Sequence, residues 1–316
     1  MFAIKQPSKI IFGENTVKEF NFPQNCLVIT SKGSQSRGWL DYLALDDYLL
    51  FDKVEPNPSL ETAQKIISEF QHQSFSTVIG MGGGSSLDVA KYVAKELKKF
   101  KIMIPTTFGS GSEVTRISVL KVNGKKQSFH DDELIADLAI VDSNFITDTP
   151  IEVIKNAAID ACAQCSEAFD SKVSNYYTKF LCEQAFDHLE NSLLNNKLKE
   201  LPLGSLLTGL GFGNSSTTLG HALSYVFSNE GYSHGHALAI TTSIAHRFNQ
   251  SKFYERFRNI VKTLDFEHIY LQQNINDAAE LILKDTKHLE NNPKKIVKND
   301  IIFLLDQINS SKTFDD

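Results

Sequence analysis

"STVIGMGGGSSLDVAKYVA" (Ser76–Ala94) decides the fold. A β-branched run, "TVIG" (77–80), ends at Gly80; Gly82, Gly83 and Gly84 follow, and Ser85 and Ser86 lead into a helical stretch carrying Asp88 and Lys91. Glycines in a strand-to-helix turn let the backbone approach a ligand and adopt positive φ. The free N–H groups of the new helix then face that ligand, with the positive end of the helix dipole behind them. A pyrophosphate fits this geometry, so Gly82, Gly83, Gly84, Ser85 and Asp88 form a candidate cofactor-binding set. The pattern is neither GxGxxG nor a P-loop, and a tight turn is the plain alternative.

Outward from this stretch the same alternation continues. "CLVIT" (26–30), "KIMI" (101–104) and "LAIVD" (138–142) read as buried strands, with an amphipathic helical stretch, "SLETAQKIISEFQHQ", before Ser74. Strand–helix–strand alternation implies a parallel sheet covered by helices. "LKVNGKKQSF" (120–129) differs, since Asn-Gly between strand-like runs signals a hairpin. A second loop, "IPTTFGSGSEVT" (104–115), again follows a strand and offers Thr106, Thr107, Ser110 and Ser112 as hydroxyl donors. Two such loops at the carboxyl ends of neighbouring strands suit a dinucleotide at the edge of an open sheet, helix caps and turns being the ordinary alternative for each hydroxyl.

After Pro150 the pattern becomes helical to the end, with helix expected around "DIIFLLDQI" in the polar tail. The expected organisation is an α/β nucleotide-binding domain over 1–150 and a helical metal and substrate domain over 151–316, with a cleft between them as a small-molecule site. The 316 residues are 41% apolar and 22% charged, a soluble globular balance. A net charge of −6 argues against nucleic acid as a partner. No apolar run reaches membrane-spanning length, the start lacks the apolar core of a signal peptide, and four cysteines make no disulfide framework, so a cytoplasmic protein is expected. Cys162 and Cys165 form C-x-x-C inside a helical pattern and read as packing residues.

"GHALSYVFSNEGYSHGH" (220–236) holds three of the nine histidines. His221 lies in a helical stretch, and His234 opens another after the loop "SNEGYS". In "NAAIDACAQCSEAFDS" (156–171), Asp160 and Gln164 are four apart and share a helix face, with Glu167 near the same stripe. Asp160 with His221 and His234 makes a sound ligand set for a divalent iron or zinc ion, half-buried structural histidines being the alternative.

"GMGGGSSLDVAK", "PTTFGSGSEVT", "AAIDACAQCSEAF" and "HALSYVFSNEGYSHGHALAI" together resemble, in order and spacing, the iron-containing (group III) alcohol dehydrogenases. The resemblance covers about residues 8–250. It implies a Rossmann-like N-terminal domain and a helical C-terminal domain (the dehydroquinate synthase-like fold), use of NAD(P) and a divalent metal, and a homodimer or larger. It places Gly82, Gly83, Gly84 and Ser85 on the pyrophosphate, and Thr106, Thr107 and Ser112 in a second cofactor loop. It makes Asp160, His221 and His234 metal ligands. The fourth ligand of the common pattern is a histidine where this chain has Gln164, and a frequent second histidine four after His221 is Tyr225 here. "DACAQCSEAFDS", "HALSY" and "HGHA" are similar to phosphonoacetaldehyde reductases, where the glutamine is expected.

The reaction so implied is hydride transfer between a nicotinamide and a small aldehyde or alcohol, with the metal polarising the carbonyl oxygen. His236 is a candidate proton donor and Tyr225 its rival. Arg116, in "SEVTRISVL", is a candidate for holding an anionic substrate, with Lys126, Lys172 and Arg247 behind it. Ser31, in "LVITSKGSQSR", stands where NAD users of the family often carry an acid; with Lys32 and Arg37 nearby it points to NADPH. A dehydroquinate-synthase-like NAD- and metal-dependent lyase, and a nucleotide-binding relic without activity, are the competing readings.

Overall fold

Val78, Ile79 and Met81 are wholly buried, as a strand covered on both faces requires. In the computed structural model, which describes residues 1–310, the chain forms two compact units, Ala3–Pro150 and Ile151 onward. The first contains β1 (Lys9–Gly13), β2 (Cys26–Ile29), β3 (Leu49–Phe51), β4 (Thr77–Gly82), β5 (Phe100–Pro105), β6 (Ile117–Val122), β7 (Lys125–His130) and β8 (Leu138–Asp142). Its helices are α1 (Thr16–Glu19), α2 (Lys32–Ser36), α3 (Leu60–Phe70) and α4 (Gly84–Glu96).

Six strands make one parallel sheet in the order β1-β8-β5-β4-β2-β3. From β2 the chain steps outward to β3, then crosses back to β4 and proceeds to β5. The order therefore reverses between β2 and β4, and open α/β sheets bind ligands outside the carboxyl ends of strands at such a reversal. Ser31 follows β2 and the triple glycine ends β4, so both stand at that place. The Asn123-Gly124 turn joins β6 and β7 as the expected antiparallel hairpin, with both residues at positive φ. β1 and β3 are outer strands without a distinct sequence signal.

Lys91 braces this unit. It is wholly buried on α4, and its ammonium donates to the carbonyls of Ser112 and Ile117, with Asp88 Oδ1 3.4 Å away. Burial lowers the Lys91 pKa, against the pull of the Asp88 and Glu113 charges.

The second unit contains α5 (Ile151–Asp170), α6 (Tyr176–Leu194), α7 (Leu201–Phe212), α8 (Leu219–Asn229), α9 (His234–Asn249), α10 (Tyr254–Thr263), α11 (Ile275–Leu283), α12 (Thr286–Asn291) and α13 (Lys298–Asn309). No strand occurs in it among the described residues, and none of their helices is long and apolar enough to cross a membrane. α5 is buried along most of its length, from Ala158 to Ala168, because α6, α7 and α9 all pack on it. Cys162 and Cys165 lie in that buried run as free thiols, and burial pushes the Cys165 thiol up to about 12. They are packing residues, as their helical setting implies.

Replacing Lys91 with alanine would strand the carbonyls it serves and leave Asp88 without its cation. Lys91→Ala should lower stability by about 3–5 kcal/mol in urea unfolding, the usual cost of breaking a buried charged pair.

Candidate functional site

In the α/β unit the glycines are required by close packing as well as by any ligand. Gly82 has φ 148°, and a Cβ there would lie 2.7 Å from Ser86 Oγ. A Cβ on Gly83 would come within 3.0 Å of Thr107 Oγ1, and one on Gly84 within 2.8 Å of Ser110 Oγ. The first loop therefore lies directly against the second, and the Thr106 N–H donates to the Gly82 carbonyl at 2.9 Å. Gly83 is the N-cap of α4 and makes no side-chain cap, so nothing from that residue covers the first N–H groups of the helix.

Two members of the expected cofactor set have other work. Asp88 Oδ1 accepts from Ser112 Oγ at 2.5 Å, and Oδ2 accepts from the Val119 N–H at 3.0 Å. Both carboxylate oxygens are thus engaged in bracing the second loop and the hairpin, which gives Asp88 and Ser112 a supporting part in this unit. Ser85 Oγ accepts from the Asn57 N–H at 3.3 Å. The Arg116 guanidinium donates to Asp132 Oδ1 at 2.9 Å, so the cation expected to face a substrate anion has a carboxylate beside it here.

In the helical unit, Asp160, His221 and His234 come together, one from each of α5, α8 and α9. One ligand atom from each lies within 4.8 Å of the other two. Asp160 Oδ1 is 3.7 Å from His221 Nε2 and 3.9 Å from His234 Nε2. Gln164, one turn along from Asp160, donates from Nε2 to Asp160 Oδ1 at 2.9 Å, while its buried Oε1 has no hydrogen-bond partner. One carboxylate oxygen and two imidazole nitrogens, with an orphaned amide oxygen alongside, fit a divalent iron or zinc ion.

Glu167 organises the cluster and exceeds the part its stripe position implied. Wholly buried on α5, it accepts from Thr218 Oγ1 at 2.9 Å, from the Gly220 N–H at 2.5 Å and from His221 Nδ1 at 2.5 Å. It thereby caps α8 and fixes the His221 tautomer, leaving Nε2 toward Asp160. Burial resists charge on both groups, but their hydrogen bonds outweigh it: His221 rises to about 9, with Asp160 contributing, and Glu167 falls to about 2. The glycines of the two Gly-His steps explain the approach. A Cβ on Gly220 would lie 2.7 Å from Glu167 Oε1 and 2.9 Å from Thr242 Cα, and one on Gly235 would collide with the Asn156 backbone.

His236 is not brought to the cluster. Two residues after His234 it faces away, as 100° per residue requires, and its ring packs on Tyr232 and Phe266 with Nε2 2.6 Å from the Glu267 carbonyl. Another imidazole, unmarked in the sequence, takes the nearby place. His288 of α12 stacks on His221 with centroids 6.2 Å apart and faces Tyr225 at 5.9 Å. Its Nδ1 is held by Asp285 at 2.6 Å. Burial first, then the carboxylates of Asp285, Asp160 and Glu167, push the Tyr225 phenol well up, so it remains a donor. His288 lay beyond the reach of motif reading because it follows the histidine segment on a separate, short helix.

Comparison with known proteins identifies the family. The model of iron-containing alcohol dehydrogenase matches residues 7–143, and that of the C-terminal part of the Fe-containing alcohol dehydrogenase family matches residues 155–291. The chain belongs to the iron-containing alcohol dehydrogenase family. Long-chain-alcohol dehydrogenase 1 of Geobacillus thermodenitrificans is 31% identical over 254 residues, covering 71% of this chain and 64% of that protein. The 4-hydroxybutyrate dehydrogenase of Clostridium kluyveri is 31% identical over 209 residues, covering 57% of this chain and 56% of that one. The match thus spans less than two thirds of either relative. The solved structure of sulfoacetaldehyde reductase from Bifidobacterium kashiwanohense in complex with NAD+ has the same fold, with a TM-score of 0.87 at 22% identity over 98% of this chain and 99% of that one.

Two outcomes follow for the helical unit. Glu167→Gln should weaken binding of cobalt(II) by about 10- to 100-fold in a spectroscopic titration, as loss of a ligand's hydrogen-bonded partner does. With its pKa near 9, His221 carries a proton at neutral pH, and a cation needs the free Nε2. Metal uptake at pH 7 should therefore release about one proton, seen by calorimetry in buffers of different ionisation enthalpy.

Proposed function

We propose that this chain is a metal-dependent, NAD(P)-linked alcohol dehydrogenase working as an aldehyde reductase. The observation that carries the reading is the Asp160–His221–His234 cluster with Glu167 behind it. Membership of a dehydrogenase family weighs against the lyase, and the assembled cluster weighs against the relic. When bound, the nicotinamide would supply the hydride and the metal the Lewis acidity at the carbonyl oxygen.

This chain's own residues would do the rest. Asp160, His221 and His234 would hold the metal, with Gln164 as a fourth ligand once its amide turns Oε1 inward. The Gly82–Ser85 loop at the sheet reversal would receive the pyrophosphate on the open N–H groups of α4, with Thr106 and Thr107 on the adjoining loop. Ser31, the N-cap of α2, puts no carboxylate at the end of β2, and Lys32 lies beside it. Both features favour NADPH. His288, oriented by Asp285 and set against His221 and Tyr225, is better placed than His236 to deliver the proton that completes reduction.

For the substrate we favour a small anionic aldehyde such as phosphonoacetaldehyde. The segments "DACAQCSEAFDS" and "HGHA" support this, as does similarity to a protein named for 4-hydroxybutyrate, itself an anion.

The test is NADPH oxidation by chelator-treated protein, with phosphonoacetaldehyde and uncharged aldehydes, before and after adding ferrous iron or zinc. Activity should return with metal and be absent from His221→Ala. His288→Gln should cut turnover by about 100-fold while His236→Gln stays within a few-fold, the difference between losing and keeping a proton donor. NADPH binding without oxidation under any metal would overturn the dehydrogenase reading in favour of the relic.

A further inference from the structure

α9 begins at His234, yet its N-cap residue, Ser233, makes no side-chain cap to its own helix. The first N–H groups of a helix lack intrahelical partners and ordinarily receive a cap from the residue just before it. Here the cap comes from another helix. Asn156 Oδ1, on α5, accepts from the His236 N–H at 3.1 Å, which is the bond an N-cap side chain would normally make. The same oxygen accepts from Ser233 Oγ at 2.5 Å. The amide cannot be turned over without loss, because Asn156 Nδ2 donates to the Glu152 carbonyl at 2.8 Å.

The location gives this cap its consequence. Asn156 precedes Asp160 by one turn, so both lie on the same face of α5. Gly235, between the two histidines, rests on the Asn156 backbone with no room for a side chain. The first turn of α9 is thus seated at one point of α5, and its first residue, His234, meets Asp160 one turn further along.

We propose that Asn156 is a positioning residue, capping α9 from α5 and thereby setting the rotation that holds His234 against Asp160. The proposal rests on the metal reading of the cluster. Asn156 touches neither metal nor substrate and acts through His234 alone.

The test is cobalt(II) titration of the full chain, read by its absorption bands, in four proteins besides wild type. Asn156→Ala should weaken binding about tenfold, in the range for residues that orient a ligand. Asn156→Asp, which keeps an accepting oxygen at the start of α9, should stay within about threefold of wild type. In a His234→Ala background, adding Asn156→Ala should change the remaining affinity by less than about twofold, because the two residues would act as one unit. Urea unfolding of the metal-free single variants separates lost folding from lost ligation. Wild-type affinity in Asn156→Ala, or an undiminished effect in the His234→Ala background, overturns the proposal and leaves the metal reading standing. Failure of wild type itself to bind cobalt(II), ferrous iron or zinc overturns both.

Discussion

The buried carboxylate of Glu167 is the constraint around which the helical unit is arranged. A charge with almost no access to water survives only if donors converge on it. Thr218, Gly220 and His221 provide them, so the start of α8 must come to α5 at that point. Bringing it there needs a glycine at 220, and the same contact turns His221 Nε2 toward Asp160. Charge burial, helix capping and ligand orientation are here one interaction.

The α/β unit solves a related problem with the opposite sign of charge. Lys91 is wholly buried, and the carbonyls of Ser112 in the second loop and Ile117 just after it accept its hydrogen bonds. Asp88 partners it while also holding Ser112 and Val119. The effect is to clamp the second loop to α4, the helix whose first N–H groups the glycine loop leaves open. A phosphate site made of backbone donors needs such rigidity, since no side chain adjusts it.

Most of the architecture was legible in the sequence because its signals are local. The buried strands β2, β4, β5 and β8, the Asn123-Gly124 hairpin and the change to helix after Pro150 each follow from residues close together in the chain. β1 and β3 gave no such signal; β3 has only three residues, and both owe their state to pairing with a stronger neighbour. The second loop was legible as a polar turn, but not the direction of its hydroxyls, because the bond from Ser112 to Asp88 joins residues 24 apart in the chain.

The candidate metal site shows why spacing alone is a poor guide here. An HExxH motif announces itself because both histidines ride one helix. In this chain the three candidate ligands come from three helices, so no fixed interval between them is required. What the packing does require is small residues where those helices touch. Each candidate ligand histidine in the "GHALSYVFSNEGYSHGH" segment has a glycine beside it, Gly220 before His221 and Gly235 after His234, and each glycine lies against α5. The legible mark of such a site is therefore the glycine that admits the helix, paired with the histidine it delivers. His288 has no such neighbour, because it reaches His221 by stacking its ring rather than by close backbone approach, and that is why it stayed hidden until the fold was seen.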